Sequence, residues 1–217
     1  MSTPEWINLL LSVITTLVAI WALFQSKQQI RLSNKQHLFD KRIEYYIIAK
    51  DFISLYESNR SLLTIENNQP VMEIVFIFTS MTNNTYLEDI TNITDHLSEE
   101  AYRKNFLKSL ETIRSISTKI RFVFNDKASH YLSNFVHCYQ ELLMEMYRYQ
   151  IIIKHMHEHT DRFKSTLEDA QKACNEAKYY TDLQHAITNL TYAYDVLKQN
   201  DTEKIIERQI KLNDRLF

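Results

Sequence analysis

The chain has 217 residues, 25 basic against 27 acidic side chains and a formal charge of −2; 45% of it is hydrophobic, and it contains two prolines and no glycine. Average usage would place about 15 glycines in this length. Their absence excludes a P-loop, a dinucleotide-binding turn and a serine-hydrolase elbow, each of which needs glycine where the backbone takes φ > 0 or closes on a ligand, and it argues against turn-rich β-sandwiches and barrels.

What is left is a chain of long helices. The near-neutral charge speaks against general nucleic-acid binding, so no nucleic-acid partner is expected. Cys138 and Cys174 are too few for a disulfide framework and fit a reducing compartment as small buried hydrophobes.

Trp6 to Phe24 runs 19 residues without a charge. At helical rise this covers roughly 28 Å, close to the roughly 30 Å hydrocarbon core of a bilayer. Trp6 lies at one end and Trp21 and Phe24 near the other, where amphipathic rings favour the interface. Only Glu5 precedes the run, whereas Lys27, Arg31, Lys35, Lys41 and Arg42 come after it, opposed by Asp40 alone. The positive-inside rule therefore predicts a short N-terminus outside the membrane and everything after Gln25 in the cytoplasm. Lys27, Arg31 and Lys35 form a basic collar suited to lipid headgroups. Asn8, Ser12, Thr15, Ala19, Ala22 and Ser26 recur at alternating spacings of four and three. This stripe of small residues predicts homo-oligomerisation through the span, because helices in lipid pair by close backbone approach. The competing reading is that its hydroxyls serve the carbonyls of the preceding turn.

Nothing breaks a helix between Gln25 and Asn59, and the span is expected to continue into a long amphipathic helix with Phe39, Ile43, Tyr46, Ile53 and Tyr56 on one side. Residues 61–100 carry seven acidic side chains and no Lys or Arg, whereas residues 101–128 reverse the balance to +5. Two readings are open: adjacent segments with complementary faces, or a docking surface for a charged protein partner at the acidic 61–100 zone. Pro70, after Asn67-Asn68-Gln69, marks a helix start, and Val71–Met81 reads as a buried helix or strand.

Further breaks are expected at Asn83-Asn84, Asn125-Asp126, Thr160-Asp161 and Asn200-Asp201, where Asn or Asp replaces Gly at left-handed helix ends. They delimit helical segments 87–97, 98–124, 127–159, 161–180, 181–199 and 202–217. The stretch from Tyr131 to Met156 is apolar on almost every side, which predicts the central helix of a bundle. Leu183, Ala186, Ile187, Leu190, Tyr194 and Leu197 form the narrower stripe of a neighbour.

Chemistry-bearing patterns are few. His155, His157 and His159 occur as HMHEH. Cations collect naturally at a helix C-terminus; His155 and His159, one turn apart, are also candidate metal ligands that lack a third. Arg148 and His155 have the R-x6-H spacing and resemble the motif of HEPN-type ribonucleases, although Tyr149 stands where that family prefers a polar residue. Asn134, His137, Glu141, Glu145 and Arg148 make a polar row on the same helix, read as a salt-bridge stripe or an exposed edge. Asp182-x-x-His185 is a lone half of a di-metal pattern. No cofactor is expected.

The run Lys35-Gln-His-Leu-Phe-Asp-Lys-Arg-Ile-Glu-Tyr-Tyr46, shortly after a single span, resembles a leucine-phenylalanine-x-lysine-arginine-x-glutamate-x-tyrosine stretch of small uncharacterised bacterial membrane proteins. The segments Asn83–Ile90 and Cys138–Leu143 resemble features of the same group. The resemblance implies an accessory or effector role in phage-defence or mobile-element loci. The sequence is thus expected to form an all-α protein in three parts: an anchor at 1–26, a basic juxtamembrane and amphipathic helix at 27–60, and a cytoplasmic antiparallel helical bundle at 61–217. The expected role is a non-catalytic scaffold, sensor or effector, with a membrane-tethered HEPN-like ribonuclease using Arg148 and His155 as the alternative.

Overall fold

The structure, a computed structural model, describes residues 3–64, 71–97 and 99–211. It is all-α: eight helices and two 3₁₀ segments, with no strand among the described residues. They are α1 (Thr3–Asn59), α2 (Ile74–Met81), α3 (Glu88–Thr91), α4 (Glu100–Val123), α5 (Asp126–Phe163), α6 (Leu167–Ala173), α7 (Glu176–Gln199) and α8 (Thr202–Ile210), with 3₁₀ turns at Arg60–Leu63 and Asn92–His96. Pro4 sits in the first turn of α1, where a missing N–H leaves no helical bond unmade. The expected start at Pro70 and the end of the 202–217 segment fall outside the described residues.

The chain divides into two units, residues 1–41 and 42–217. The first is helical throughout its described part and holds one stretch long and apolar enough to cross a membrane, none of it buried. Trp6, Leu17, Val18, Trp21 and Leu23 are all more than half exposed.

The second unit has its own core. From α1 it takes Tyr45, Ala49, Phe52, Ile53 and Tyr56, spaced at helical intervals. This corrects the expected face: Phe39, Ile43 and Tyr46 are only partly buried, and the phenol of Tyr46 turns aside to donate to Glu207 at 2.7 Å. The predicted central helix is α5, which packs against α2, α4, α6, α7 and α8. Its Tyr139 stacks on Phe52 at 4.9 Å and donates to the Met81 carbonyl at 2.6 Å. The segment 71–81 is helical from Ile74 onward and not a strand, and its Ile74, Ile77, Phe78 and Met81 are buried.

Among the described residues four take left-handed backbone: Asp126 (φ 67°), Lys164 (φ 52°), Asn175 (φ 52°) and Asp201 (φ 48°). Two lie at expected breaks. The expected break at Thr160-Asp161 is corrected: α5 runs on to Phe163 and stops at Lys164. The expected 161–180 helix is likewise split, first by Thr166, which caps α6 in a reciprocal pair with Asp169, and again at Asn175. At Asn83-Asn84 the break works through capping, with Asn84 Oδ1 accepting the Leu87 N–H at 2.8 Å.

Helix α8 is fastened to α1 by charge. Glu203 is hydrogen-bonded by Lys50 and Lys198, and Lys198 also reaches Glu57 at 2.6 Å. Arg42 donates to the Val123 carbonyl at 2.6 Å and the Gln209 carbonyl at 3.2 Å, and Gln209 in turn pairs with both backbone groups of Asn125.

Candidate functional site

Three helices of the second unit enclose an open groove of about 910 Å³. Helix α4 contributes Arg114, Thr118 and Arg121, one helical face at intervals of four and three, together with Ser117 and Phe122. Helix α5 contributes His130, Asn134 and His137 at the same intervals, with Tyr131 and Ser133 beside them. Helix α7 closes the third side with Tyr192, Ala193 and Val196.

The floor is set where α4 meets α5. Ser117 and Ser133 are buried, and the Ser117 hydroxyl donates to the Ser133 carbonyl at 2.9 Å with the two hydroxyls 3.1 Å apart. That pairing fixes the register of the hairpin. It brings Arg121 close to the level of His130, and Arg114 close to the level of His137. The groove therefore has two cationic levels, each with one guanidinium and one imidazole, separated by roughly 10 Å along α4.

Among the described residues no carboxylate lines this groove, although acidic side chains outnumber basic ones in the chain. Neither Arg114 nor Arg121 takes part in an ion pair among the described residues. His137 meets Glu141 at 3.3 Å, one turn along its own helix. Two large aromatic rings stand in solvent at the rim, Phe122 at 83% exposure and Tyr192 at 69%. The arrangement can hold an anion between the guanidiniums and lay a flat ring on the aromatics.

Sequence reasoning found Asn134 and His137 as a polar row and Arg114 and Arg121 as part of the basic zone, but it missed His130, Phe122 and Tyr192. The signal was the matching interval of 130–134–137 and 114–118–121. The polar row itself splits in two. Asn134 and His137 enter the groove, while Glu145 pairs with Arg148 at 2.7 Å. Burial raises the Glu145 carboxyl above its ordinary pKa, against the nearby guanidinium of Arg148. No ion pair among the described residues joins the acidic 61–100 zone to the basic 101–128 zone; α3 packs against α4, and Ile90 of the one and Phe106 and Leu110 of the other are buried.

The other candidates lie apart from the groove. Arg148 is occupied by Glu145, and His155, two turns further along α5, is exposed. His159 Nδ1 lies 2.9 Å from the Ser165 hydroxyl, and among the described residues no three His, Cys, Asp or Glu side chains gather as a metal site. Cys138 is buried and its thiol is pushed up to about 11 by burial and by Glu141. In the first unit Asn8, Ser12, Thr15, Ala19, Ala22 and Ser26 are exposed, as are Lys27, Arg31 and Lys35. The Thr15 hydroxyl donates to the carbonyls of Leu11 (3.0 Å) and Ser12 (2.9 Å), and that of Thr16 to Ser12 at 2.8 Å, so both serve the preceding turn.

No known protein family, curated protein or solved structure matches this chain.

Proposed function

We propose that this protein is a non-catalytic, single-span protein of the bacterial inner membrane, acting as a helical scaffold, sensor or effector on the cytoplasmic side. One observation carries the reading: the described side chains of the uncharged stretch Trp6–Phe24 are exposed, and burying so many Leu, Ile, Val and Trp side chains in lipid removes a large apolar surface from water. The basic collar at Lys27, Arg31 and Lys35 supports a cytoplasmic location for the second unit. The small-residue stripe supports self-association through the span, and the acidic zone at 61–100, with no ion pair to its basic neighbour among the described residues, supports contact with a basic protein partner. The resemblance of residues 35–46 to small bacterial membrane proteins supports a place in a defence or mobile-element locus.

Alkaline carbonate extraction tests the anchor. The full-length chain is expected in the membrane pellet after treatment at strongly alkaline pH; release into the supernatant overturns the proposal. Expression of the Arg148→Ala, His155→Ala double variant separates this reading from the ribonuclease alternative. Cellular RNA is expected intact with wild type and variant alike, and RNA cleavage by wild type alone decides for the enzyme.

A further inference from the structure

We infer that the groove between α4, α5 and α7 binds a nucleotide bearing more than one phosphate, with Arg114 and Arg121 on the phosphates and Tyr192 and Phe122 on the base. Charge is the first argument. Four cationic or proton-donating side chains face a hollow lined by no carboxylate among the described residues, with Glu141 meeting His137 at 3.3 Å at its edge, in a chain whose net charge is negative. Such a site raises the local concentration of anions, and planar guanidiniums match the oxygen geometry of phosphate in a bidentate fashion. Spacing is the second. The two Arg–His levels lie roughly 10 Å apart along the helix, farther than one phosphate group extends, so they suit a chain of phosphates.

The rim carries the third argument. Phe122 and Tyr192 are large, exposed and adjacent to the cations, an arrangement that leaves apolar faces in water for no gain in core packing. Such a face is a platform on which a base can stack. The size fits too, since about 910 Å³ lies in the usual range for pockets that hold small ligands. The side-chain amide of Asn134 sits between the two levels, able to donate to phosphate or sugar oxygens, while the Thr118 hydroxyl beside it donates to the Arg114 carbonyl at 3.2 Å and keeps its lone pairs for accepting. The inference does not rest on the membrane anchor, because every residue it uses belongs to the second unit.

The test uses the full-length protein in detergent micelles and N-methylanthraniloyl-ATP as the probe, read by fluorescence anisotropy. Saturable binding is expected, displaced by ATP at least tenfold better than by adenosine or by inorganic pyrophosphate. Arg114→Gln and Arg121→Gln should each weaken binding at least tenfold, and Tyr192→Ala about fivefold or more. Lys172→Gln, which removes the same charge from exposed α6, should leave binding unchanged. A flat titration with folded wild type overturns the inference, as does an equal effect of Lys172→Gln. Displacement by pyrophosphate as good as by ATP overturns it in favour of a bare anion site. Displacement by a single-stranded RNA 12-mer a hundredfold tighter than by ATP overturns it in favour of a polynucleotide. Should a variant fail to fold by circular dichroism, the competition series on wild type decides alone.

Discussion

Tyr139 concentrates in one side chain what holds the second unit together. Its ring is fully buried and stacked on Phe52, and its hydroxyl donates to the Met81 carbonyl, one of the orphan acceptors at the end of α2. Replacing it with phenylalanine keeps the stack and strands that carbonyl in the core. Tyr139→Phe should cost about 1–2 kcal/mol and lower Tm by about 3–6 °C, read by circular dichroism; an unchanged Tm would discard this account. The same residue shows the limit of pattern reading. Period 3.6 places Tyr139 on a buried face, but which carbonyl its hydroxyl meets, 58 positions away, depends on how α2 packs. Lys164 is a second instance. It takes left-handed backbone at a cost of about 1–2 kcal/mol, and nothing in its chemistry distinguishes it from the helical Lys154 earlier in α5.

Helices with strong stripes, α5 and α7 above all, were readable because apolar periodicity survives whatever they pack against. The ends were harder. Breaks at Asn125-Asp126 and Asn200-Asp201 came from the residue types that tolerate left-handed backbone, whereas the one at Asn175 lies inside Ala-Cys-Asn-Glu-Ala-Lys, a run that otherwise favours helix. Helix α8 is too short to be stable alone and depends on its fastening to α1. Burial pushes the Glu203 carboxyl up, but hydrogen bonds from Lys198 and Lys50 outweigh it and hold the group below its ordinary pKa; Glu57 is held down in the same balance by Lys198 and Tyr194. Lowered carboxyls contribute stability that is present above the unfolded value, about 4.3, and is lost as pH falls through the folded value. For Lys198, burial lowers the ammonium while Glu203 and Glu57 raise it further, so its contribution persists up to its ordinary value and fails only in strong alkali. The fastening should therefore loosen first in acid. Glu203→Gln should cost about 1–2 kcal/mol at neutral pH, after allowance for the partly exposed lysines, and the difference should shrink in acid as the carboxyl is protonated. Equal loss at neutral and at acid pH in denaturant titrations would rule out this electrostatic origin.

Across the whole molecule, the all-α class and the membrane-length opening helix stem from two plain facts, no glycine and a 19-residue uncharged run. The groove was not legible in that way. Its walls come from residues 114–122, 130–137 and 192–196, which meet only because α5 packs on both α4 and α7, with Ser117 and Ser133 paired where α4 touches α5. Assembly is the other property of this scale. If spans pair along the small-residue seam, Thr15→Ile with Ala19→Ile should abolish cysteine- or amine-crosslinked oligomers in membranes, because the branched side chains hold the backbones apart; crosslinking that persists would remove the seam from the account. The two serines beneath the groove have a consequence of their own. They are the shortest polar side chains that could sit where α4 touches α5, and the hollow owes its depth to their brevity. A change to leucine at either position would wedge a branched side chain between the two helices and break the hydroxyl pairing, so the basin would lose its floor and the alignment of its walls together, with the chain unaltered in charge.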